Sequence, residues 1–238
     1  MSMGTNRMHI VVFTGSGISA ESGIPTFRGA GGLWEGHRLE EVATPEAWER
    51  DPETVLRFYN ERRRAVGAAQ PNAAHVALAN LEQRHKVSII TQNIDDLHER
   101  AGSTRVLHLH GEIMKVRSTL IPEKVLYWGP KDLTPGDHCP FGSQLRPHVV
   151  WFGEEVPEYT NAVPIIEAAD TLLVIGTSLQ VYPAAGLVHL VPPSTTVYWI
   201  DPDAGRIAGF PPTAALLIYS TSACSAVPRI VEELLQES

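Results

Sequence analysis

A short apolar run near the start of the chain most constrains what this chain can fold into. Residues 10–13, Ile-Val-Val-Phe, stop abruptly at Thr14-Gly15-Ser16-Gly17. Such a run is typical of a strand buried in a parallel sheet, and the glycines after it indicate a tight turn. Small residues with free backbone N–H groups would also let a phosphate approach closely. The segment predicts the first strand and loop of an α/β fold, and the loop is either a phosphate site or a turn needed for packing.

Four further short apolar runs follow the same pattern, at residues 87–91, 171–175, 196–200 and 216–219. The stretches between these runs are long enough to hold helices. Strands that alternate with helices are typical of a parallel sheet covered on both faces. We therefore predict the α/β fold class.

Helix-start signals divide the rest of the chain. The Thr-Pro pair at residues 44–45 and the Asp-Pro pair at 51–52 each place an N-cap residue before a proline. Helices should therefore begin near residues 45 and 52, the second running to about residue 66. Residues 72–84 and 227–236 also have helical spacing.

Two segments lack any regular period. Residues 117–147 are rich in proline and glycine, and we interpret them as an inserted small lobe or a long loop. Residues 23–44 form a second irregular, glycine-rich segment directly after the first turn. Irregular segments of this length in a compact domain are usually functional or mobile.

Composition excludes several classes of protein. With 43% hydrophobic and 19% charged residues over 238 positions, the chain is neither disordered nor a coiled coil. Its 19 Lys and Arg against 27 Asp and Glu give a formal charge of -8, which argues against nucleic acid as a partner. The first residues do not have the pattern of a signal peptide, and no window approaches the roughly 20 apolar residues that a membrane span needs. We expect a cytoplasmic protein without a membrane partner.

Six short motifs occur in one order along nearly the whole chain. They are TGSGIS at 14–19, GIPTFRG at 23–29, TQNID at 91–95, LHG at 109–111, FGE at 152–154 and GTS at 176–178. The series resembles that of the sirtuins, which are NAD-dependent protein lysine deacylases. The resemblance implies a Rossmann-like parallel sheet with helices on both faces plus a small inserted lobe, with NAD between them and an acylated lysine entering from the opposite side.

The same resemblance implies a single catalytic domain over residues 1–238. Its two parts are a large Rossmann-like domain (1–22, 67–110 and 148–238) and a small lobe with the cofactor loop (about 23–66 and 111–147). It also implies the residues around NAD: Gly15, Ser16, Gly17, Ser19, Ala20, Pro25, Phe27, Arg28, Trp34, Gln92, Asn93, Ile94, Asp95, Gly176, Thr177, Ser178, Asp201 and Ala223. Asp201 stands where the sirtuin pattern usually has Asn.

His110, Asn93 and Asp95 are the expected catalytic residues. A histidine with an ordinary pKa of about 6.5 can accept a proton from a ribose hydroxyl near neutral pH. An amide and a carboxylate two residues apart after a strand can face the nicotinamide and its ribose. The neighbouring His108 is assigned a structural role.

Tyr59 and Arg62 are three residues apart, hence on one face of the predicted helix. Their tips could hold the free carboxylate of a succinyl or malonyl group, because a guanidinium binds a carboxylate bidentately. The alternative is a solvated charge run beside a half-buried aromatic ring. Tyr-x-x-Arg resembles the signature of class III sirtuins, which remove acidic acyl groups. The resemblance implies these substrate-binding residues: Ala30, Tyr59, Arg62, Val150, Phe152, Gly153 and Glu154.

The small lobe departs from the sirtuin pattern. Sirtuins commonly carry four cysteines there, which bind a structural zinc. This chain has two cysteines in all, Cys139 and Cys224, too few for a disulfide framework or an all-cysteine zinc site. We therefore expect no metal, and expect apolar packing to hold the lobe instead. The candidates are Leu120, Ile121, Val125, Leu126, Tyr127, Trp128 and Phe141.

Two other functions stay open at this point. The same pocket could support ADP-ribosyl transfer or plain NAD hydrolysis, which would not need Tyr59 or Arg62. A non-catalytic module that senses NAD or ADP-ribose would keep the glycine loops, but it gives no reason for His110.

Overall fold

The structure, a computed structural model, describes residues 7–26, 33–34, 37–204, 210 and 212–236. Its strands are β1 (His9–Thr14), β2 (Leu33–Trp34), β3 (His37–Arg38), β4 (Lys86–Thr91), β5 (Val106–His108), β6 (Gly111–Ser118), β7 (Val125–Tyr127), β8 (Leu145–Val149), β9 (Thr171–Ile175), β10 (Thr196–Ile200) and β11 (Ala215–Tyr219). Its α-helices are α1 (Leu39–Val42), α2 (Pro45–Arg50), α3 (Pro52–Ala68), α4 (Ala73–Leu81), α5 (Leu97–Arg100), α6 (Tyr159–Glu167) and α7 (Ala223–Gln236). None of the helices in the described part is long and apolar enough to cross a bilayer.

Six of the described strands form a parallel sheet in the order β11-β10-β9-β1-β4-β5. Alternate residues of β1 face opposite layers. Ile10 and Val12 pack in one core with α4 and α7, and Val11 and Phe13 pack in the other with α6. Because both faces are covered, all four central residues of β1, 10–13, are apolar. The predicted α/β fold class is confirmed.

Helix caps fix the start of the helices that precede the site. Thr44 and Asp51 accept hydrogen bonds from the backbone N–H groups of Ala47 and Thr54, and each is followed by proline. Asn72 caps α4 in the same way. Helix α7 begins at Ala223, four residues before the predicted start.

A small antiparallel sheet, in the order β7-β6-β8, forms the inserted segment. Its apolar core consists of residues from α3, the sheet and its loops: Leu56, Val116, Leu133, Cys139 and Leu145. The expectation that Leu120, Tyr127 and Phe141 hold this lobe is wrong, since they are 78%, 74% and 63% exposed. They lie on turns and an edge strand, where they are exposed, so the packing comes from residues that an irregular pattern does not single out.

Polar contacts attach α3 to the inserted segment. Asn60 Nδ2 donates to the Leu133 carbonyl at 2.9 Å, and the Leu133 N–H donates back to Asn60 Oδ1 at 2.9 Å. The buried Arg63 donates to Asn60 Oδ1 and to the Ile113 carbonyl. One amide side chain therefore pairs with a loop backbone much as a neighbouring strand would.

Candidate active site

A cavity of about 650 Å³ opens where the carboxyl ends of β1, β4, β9 and β10 meet. After β1, the next strand of this sheet along the chain is β4, which pairs with one side of β1. The later strand β9 pairs with the other side of β1. Ligands of open α/β sheets bind at such a switch in strand order. The loops after the four strands bring Gly15, Gln92, Gly176 and Asp201 to the cavity wall.

The glycines after β1 pack against the loop after β9. The Gly15 N–H donates to the Ile175 carbonyl at 3.0 Å, and the Gly17 N–H donates to the Gly176 carbonyl at 2.8 Å. A Cβ on Gly17 would lie 2.6 Å from the Cα of Gly176, so only glycine allows this approach. The expectation that these two N–H groups stand free for a phosphate is wrong, because both bind the neighbouring loop.

Ser19, Asn93 and Asp95 form a hydrogen-bonded group on the cavity wall. Ser19 Oγ donates to Asp95 Oδ2 at 2.9 Å, and Asn93 Nδ2 donates to Ser19 Oγ and to the Gly15 carbonyl. The Leu97 N–H donates to the other oxygen of Asp95 at 3.2 Å. Burial raises the pKa of Asp95, and these hydrogen bonds oppose that rise. The group holds an amide and a carboxylate in fixed positions, which suits it to bind a carboxamide and ribose hydroxyls.

His110 lies between β5 and β6 and also lines the cavity. Its Nδ1 is 3.0 Å from the carbonyl oxygen of Gln92. Because a carbonyl can only accept, the neutral ring carries its proton on Nδ1 and leaves Nε2 as an acceptor. Burial lowers the pKa of His110 below 6.5, which keeps the ring neutral at pH 7. The arrangement suits Nε2 to accept a proton.

His108 makes different contacts. Its Nε2 lies 2.7 Å from a Glu99 carboxylate oxygen, and its Nδ1 lies 3.1 Å from the Asn93 carbonyl oxygen. Burial lowers the pKa of His108, but the bond to Glu99 and the charge of Glu99 outweigh it, so the pKa lies above 6.5. These contacts support a structural role beneath the Asn93 loop.

Most of the sequence-predicted site residues meet at this cavity. Those that line it are Gly15, Ser16, Gly17, Ser19, Ala20, Pro25, Tyr59, Gln92, Asn93, Ile94, Asp95, His110, Val150, Phe152, Gly153, Glu154, Gly176, Thr177, Ser178, Asp201 and Ala223. Arg62 is not among the described residues that line it. Phe27, Arg28 and Ala30 lie outside the described residues, and of Trp34 only the backbone is described, in β2. The individual roles stay predictions.

Comparison with known protein families identifies the family to which the residues around this cavity belong. The Sir2 family model matches residues 15–183, which include the loops after β1, β4 and β9. The chain belongs to the Sir2 family. The resemblance to the sirtuins is thereby confirmed.

Relatives and solved structures agree with this assignment to the Sir2 family. An NAD-dependent protein deacylase of Helicobacter pylori (strain J99) is 56% identical over 82% of this chain and 83% of its own length. A mutant Sir2 homologue solved with ADP-ribose has a TM-score of 0.86 at 40% identity, covering 98% of this chain and 94% of its own. A Sir2 homologue solved with NAD has a TM-score of 0.84 at 40% identity, covering 98% and 91%.

In this Sir2 protein, Tyr59 and Arg62 are both buried on α3. Tyr59 is 1% exposed and lines the cavity, and Arg62 is 8% exposed. The Arg62 Cζ lies 3.4 Å from the centroid of the Phe58 ring, and its Nη1 donates to the Phe58 carbonyl. Arg62 is therefore not part of a solvated run, whereas Arg64 is half exposed and pairs with Asp132.

Glu154 is bound by side chains of the small sheet. Its carboxylate accepts hydrogen bonds from Arg146 at 2.7 and 3.0 Å, from Arg117 at 3.1 Å, and from the Trp151 N–H at 2.8 Å. The side chain thus stabilises the loop between β8 and α6, and a contact of Glu154 with substrate is left to its backbone. The Phe-Gly-Glu motif does not predict this contact, because the sequence is the same whether the glutamate binds the small sheet or the substrate.

Trp151 stands between the predicted substrate-binding residues Val150 and Phe152, and it also lines the cavity of this Sir2 protein. The Arg146 Cζ lies 3.3 Å from the centroid of its ring, and the Trp48 ring centroid is 5.7 Å away. The indole is 2% exposed. An apolar run between two predicted substrate-binding residues predicts this place at the cavity, but it gives no signal for the contacts with Arg146 and Trp48.

The surroundings of Cys139 do not fit the zinc that many sirtuins carry. Its sulfur lies 3.0 Å from Ser143 Oγ and 3.7 Å from Ser118 Oγ, and hydroxyls are not among the usual zinc ligands. Within the described residues, no group of three or more His, Cys, Asp or Glu side chains is placed to hold a metal ion.

Proposed function

We propose that this protein removes acidic acyl groups, succinyl and malonyl before acetyl, from lysine side chains of proteins in a reaction that consumes NAD. The products would be nicotinamide, the free lysine and 2'-O-acyl-ADP-ribose. The observation that carries the proposal is that His110, Asp95 and the buried Tyr59 line one cavity.

The general activity follows from family membership. The chain is an NAD-dependent protein deacylase, since it belongs to the Sir2 family and a relative 56% identical to it carries that name. Its cosubstrate is NAD, and its partners are acylated proteins. The preference for an acidic acyl group is the finer step that we propose.

The residues of the cavity fit NAD. The close-packed glycine loops leave room at the switch point of the sheet, and the Ser19-Asn93-Asp95 group offers an amide, a hydroxyl and a carboxylate to a carboxamide and ribose hydroxyls. When bound, NAD supplies a ribose carbon that the acyl oxygen attacks as nicotinamide leaves. Asp95 would stabilise positive charge at that sugar, and Nε2 of His110 would accept the proton of a ribose hydroxyl.

Tyr59 and Arg62 support the acidic preference. A succinyl or malonyl group ends in a carboxylate, which must not be buried without donors or a cation. Arg62 is buried one turn from Tyr59, and its charge opposes the rise that burial causes in the pKa of the Tyr59 phenol, which lines the cavity. An acetyl group has no charge and would gain nothing from this cation.

The substrate peptide would lie between two loops at the cavity mouth. Phe152 and Gly153 line one side, and Gln180 and Val181 line the other. An extended peptide that pairs with such loops is held mainly through its backbone, so selectivity for the surrounding sequence would be modest.

A comparison of three substrates tests the proposal. Acetyl, malonyl and succinyl versions of one lysine peptide would be incubated with the protein, with and without NAD, while nicotinamide and deacylated peptide are measured. We expect turnover only with both NAD and peptide, and a higher kcat/KM for the acidic acyl groups. Rapid nicotinamide release from NAD alone would instead indicate a hydrolase, and acetyl turnover exceeding both acidic groups would overturn the preference.

A further inference from the structure

Trp151 is a buried hydrogen-bond donor at the wall of the cavity. Its side chain is 2% exposed, yet its indole Nε1 makes no hydrogen bond with any residue that the structure describes. Buried tryptophan N–H groups usually have a partner, and an unmet one destabilises the protein. A donor in this condition beside a ligand cavity suits an acceptor that arrives with the ligand.

The donor lies beside Tyr59. Burial raises the pKa of the Tyr59 phenol, and the nearby Trp151 indole and the charges of Arg62 and Arg146 oppose that rise. Trp151 therefore stabilises negative charge at the position of the phenol oxygen, although the two side chains do not make a well-formed hydrogen bond. The same field would stabilise a carboxylate placed next to that oxygen.

A charged network fixes the indole ring. Arg146 stacks on the ring at 3.3 Å, and Glu154 binds both terminal nitrogens of Arg146 and the backbone N–H of Trp151. Arg117 binds the same carboxylate. Two arginines against one glutamate leave a net positive charge, and a cation over the ring face makes the indole N–H a stronger donor.

We propose that Trp151 is a specificity-determining residue that donates its indole N–H to the terminal carboxylate of an acidic acyl group, alongside Tyr59 and Arg62. Arg146 and Glu154 are its positioning residues. This inference rests on the proposed function, because an acyl group without a terminal carboxylate would leave the donor unused. It adds a donor from the loop after β8 to a recognition site otherwise built by α3.

The test removes the N–H and keeps an aromatic ring. In Trp151→Phe, kcat/KM for the succinyl peptide should fall about 10- to 100-fold, the range for a hydrogen bond to a charged group, while kcat/KM for the acetyl peptide stays within about twofold. Trp48→Phe removes an indole N–H from the adjacent ring, which is not among the described lining residues, and should leave both unchanged. Equal loss on both peptides in Trp151→Phe would indicate packing alone and overturn the inference.

A direct readout does not depend on turnover. The protein has 5 tryptophans, and the indole N–H signal that disappears from the NMR spectrum of Trp151→Phe identifies that of Trp151. Without NAD, the succinyl peptide should shift this signal downfield and the acetyl peptide should not. An unchanged signal at saturating succinyl peptide overturns the inference.

The proposed acyl preference and the proposed role of Trp151 can fail separately. If the wild-type protein deacetylates but removes neither succinyl nor malonyl groups, the acyl preference fails and the inference fails with it. If the wild type desuccinylates, Arg62→Met abolishes this, and Trp151→Phe retains it, only the inference fails.

Discussion

The Nδ1 atom of His110 lies 3.0 Å from the carbonyl oxygen of Gln92, and this contact sets which nitrogen of the ring is free. Gln92 directly precedes Asn93, whose side chain binds Ser19 in the group that also holds Asp95. The proton acceptor and the proposed nicotinamide site are therefore positioned by one loop, the one that follows β4.

We predict that His110→Tyr binds NAD but loses deacylation. General base catalysis contributes about 10²- to 10⁴-fold, so kcat should fall by at least about a hundredfold. Calorimetry would measure NAD binding, and peptide turnover would measure activity. The same substitution at the exposed His189 is the control and should change neither. Full activity in His110→Tyr would show that another group accepts the proton.

The pH profile should report the burial of His110. Burial lowers its pKa below 6.5, so the neutral, proton-accepting form persists to lower pH than for an ordinary histidine. We expect kcat/KM on the acyl peptide to be constant near pH 7 and to fall only as the pH drops below 6.5. An acid limb centred above pH 6.5 would point to His108, whose pKa Glu99 raises, and would contradict the assignment of the base.

Local patterns were enough to predict the frame of this fold. The run ending at Thr14 and the residues 171–175 and 196–200 are strands because β-branched apolar residues suit positions covered on both faces. Helix α6 was not predicted, because Pro164 lies inside it and interrupts its helical spacing. The first turn of α7 was also missed, since the carboxylate that accepts the Cys224 N–H belongs to Glu21, 203 residues away.

The site was predictable in its residue types more than in its contacts. His110 and Asp95 stand in recognisable motifs, and the structure brings them to one cavity. The role of Glu154 in binding Arg146 and Arg117 was not predictable, because Glu154 lies in a loop and its partners lie on two strands of the small sheet. The hydrogen bond from the Gly17 N–H to the Gly176 carbonyl likewise depends on how two loops that are distant in sequence pack together.

Arg62→Met should separate acidic from neutral acyl groups. Loss of a charge-assisted hydrogen bond amounts to about 1.5–3 kcal/mol, so desuccinylation should fall about 10- to 100-fold while deacetylation is nearly unchanged. Arg64→Met on the same helix is the matched control, because its half-exposed ion pair with Asp132 contributes little. Equal loss on both acyl groups in Arg62→Met would exclude a role in reading the acid.

Asn60→Ala should weaken the attachment of the inserted segment. The substitution leaves the buried Leu133 N–H and carbonyl and one Arg63 nitrogen without their partner, so we expect the free energy of unfolding to fall by about 3 kcal/mol. Asn161→Ala, which removes an exposed amide that donates to Glu158, should change it by less than about 0.5 kcal/mol. Denaturant unfolding measures both, and similar values would show that apolar packing alone holds the segment.

The loop after β1 and the loop after β9 pack closely at Gly17 and Gly176. Gly176 has φ +62°, and a Cβ there would lie 2.3 Å from the Ile18 nitrogen and 2.6 Å from the Gly17 carbonyl carbon, neither of which can move without the other loop. Gly142 also has a positive φ, +84°, but a Cβ there meets nothing within 4 Å. Gly142→Ala should therefore destabilise the protein by about 1 kcal/mol from backbone strain alone and leave NAD affinity unchanged. Gly176→Ala adds the steric clash, so it should destabilise by at least about 3 kcal/mol and weaken NAD binding by more than about tenfold, because the displaced loops form the cavity wall. If unfolding and NAD titrations give the same values for the two variants, close packing of these loops does not shape the site.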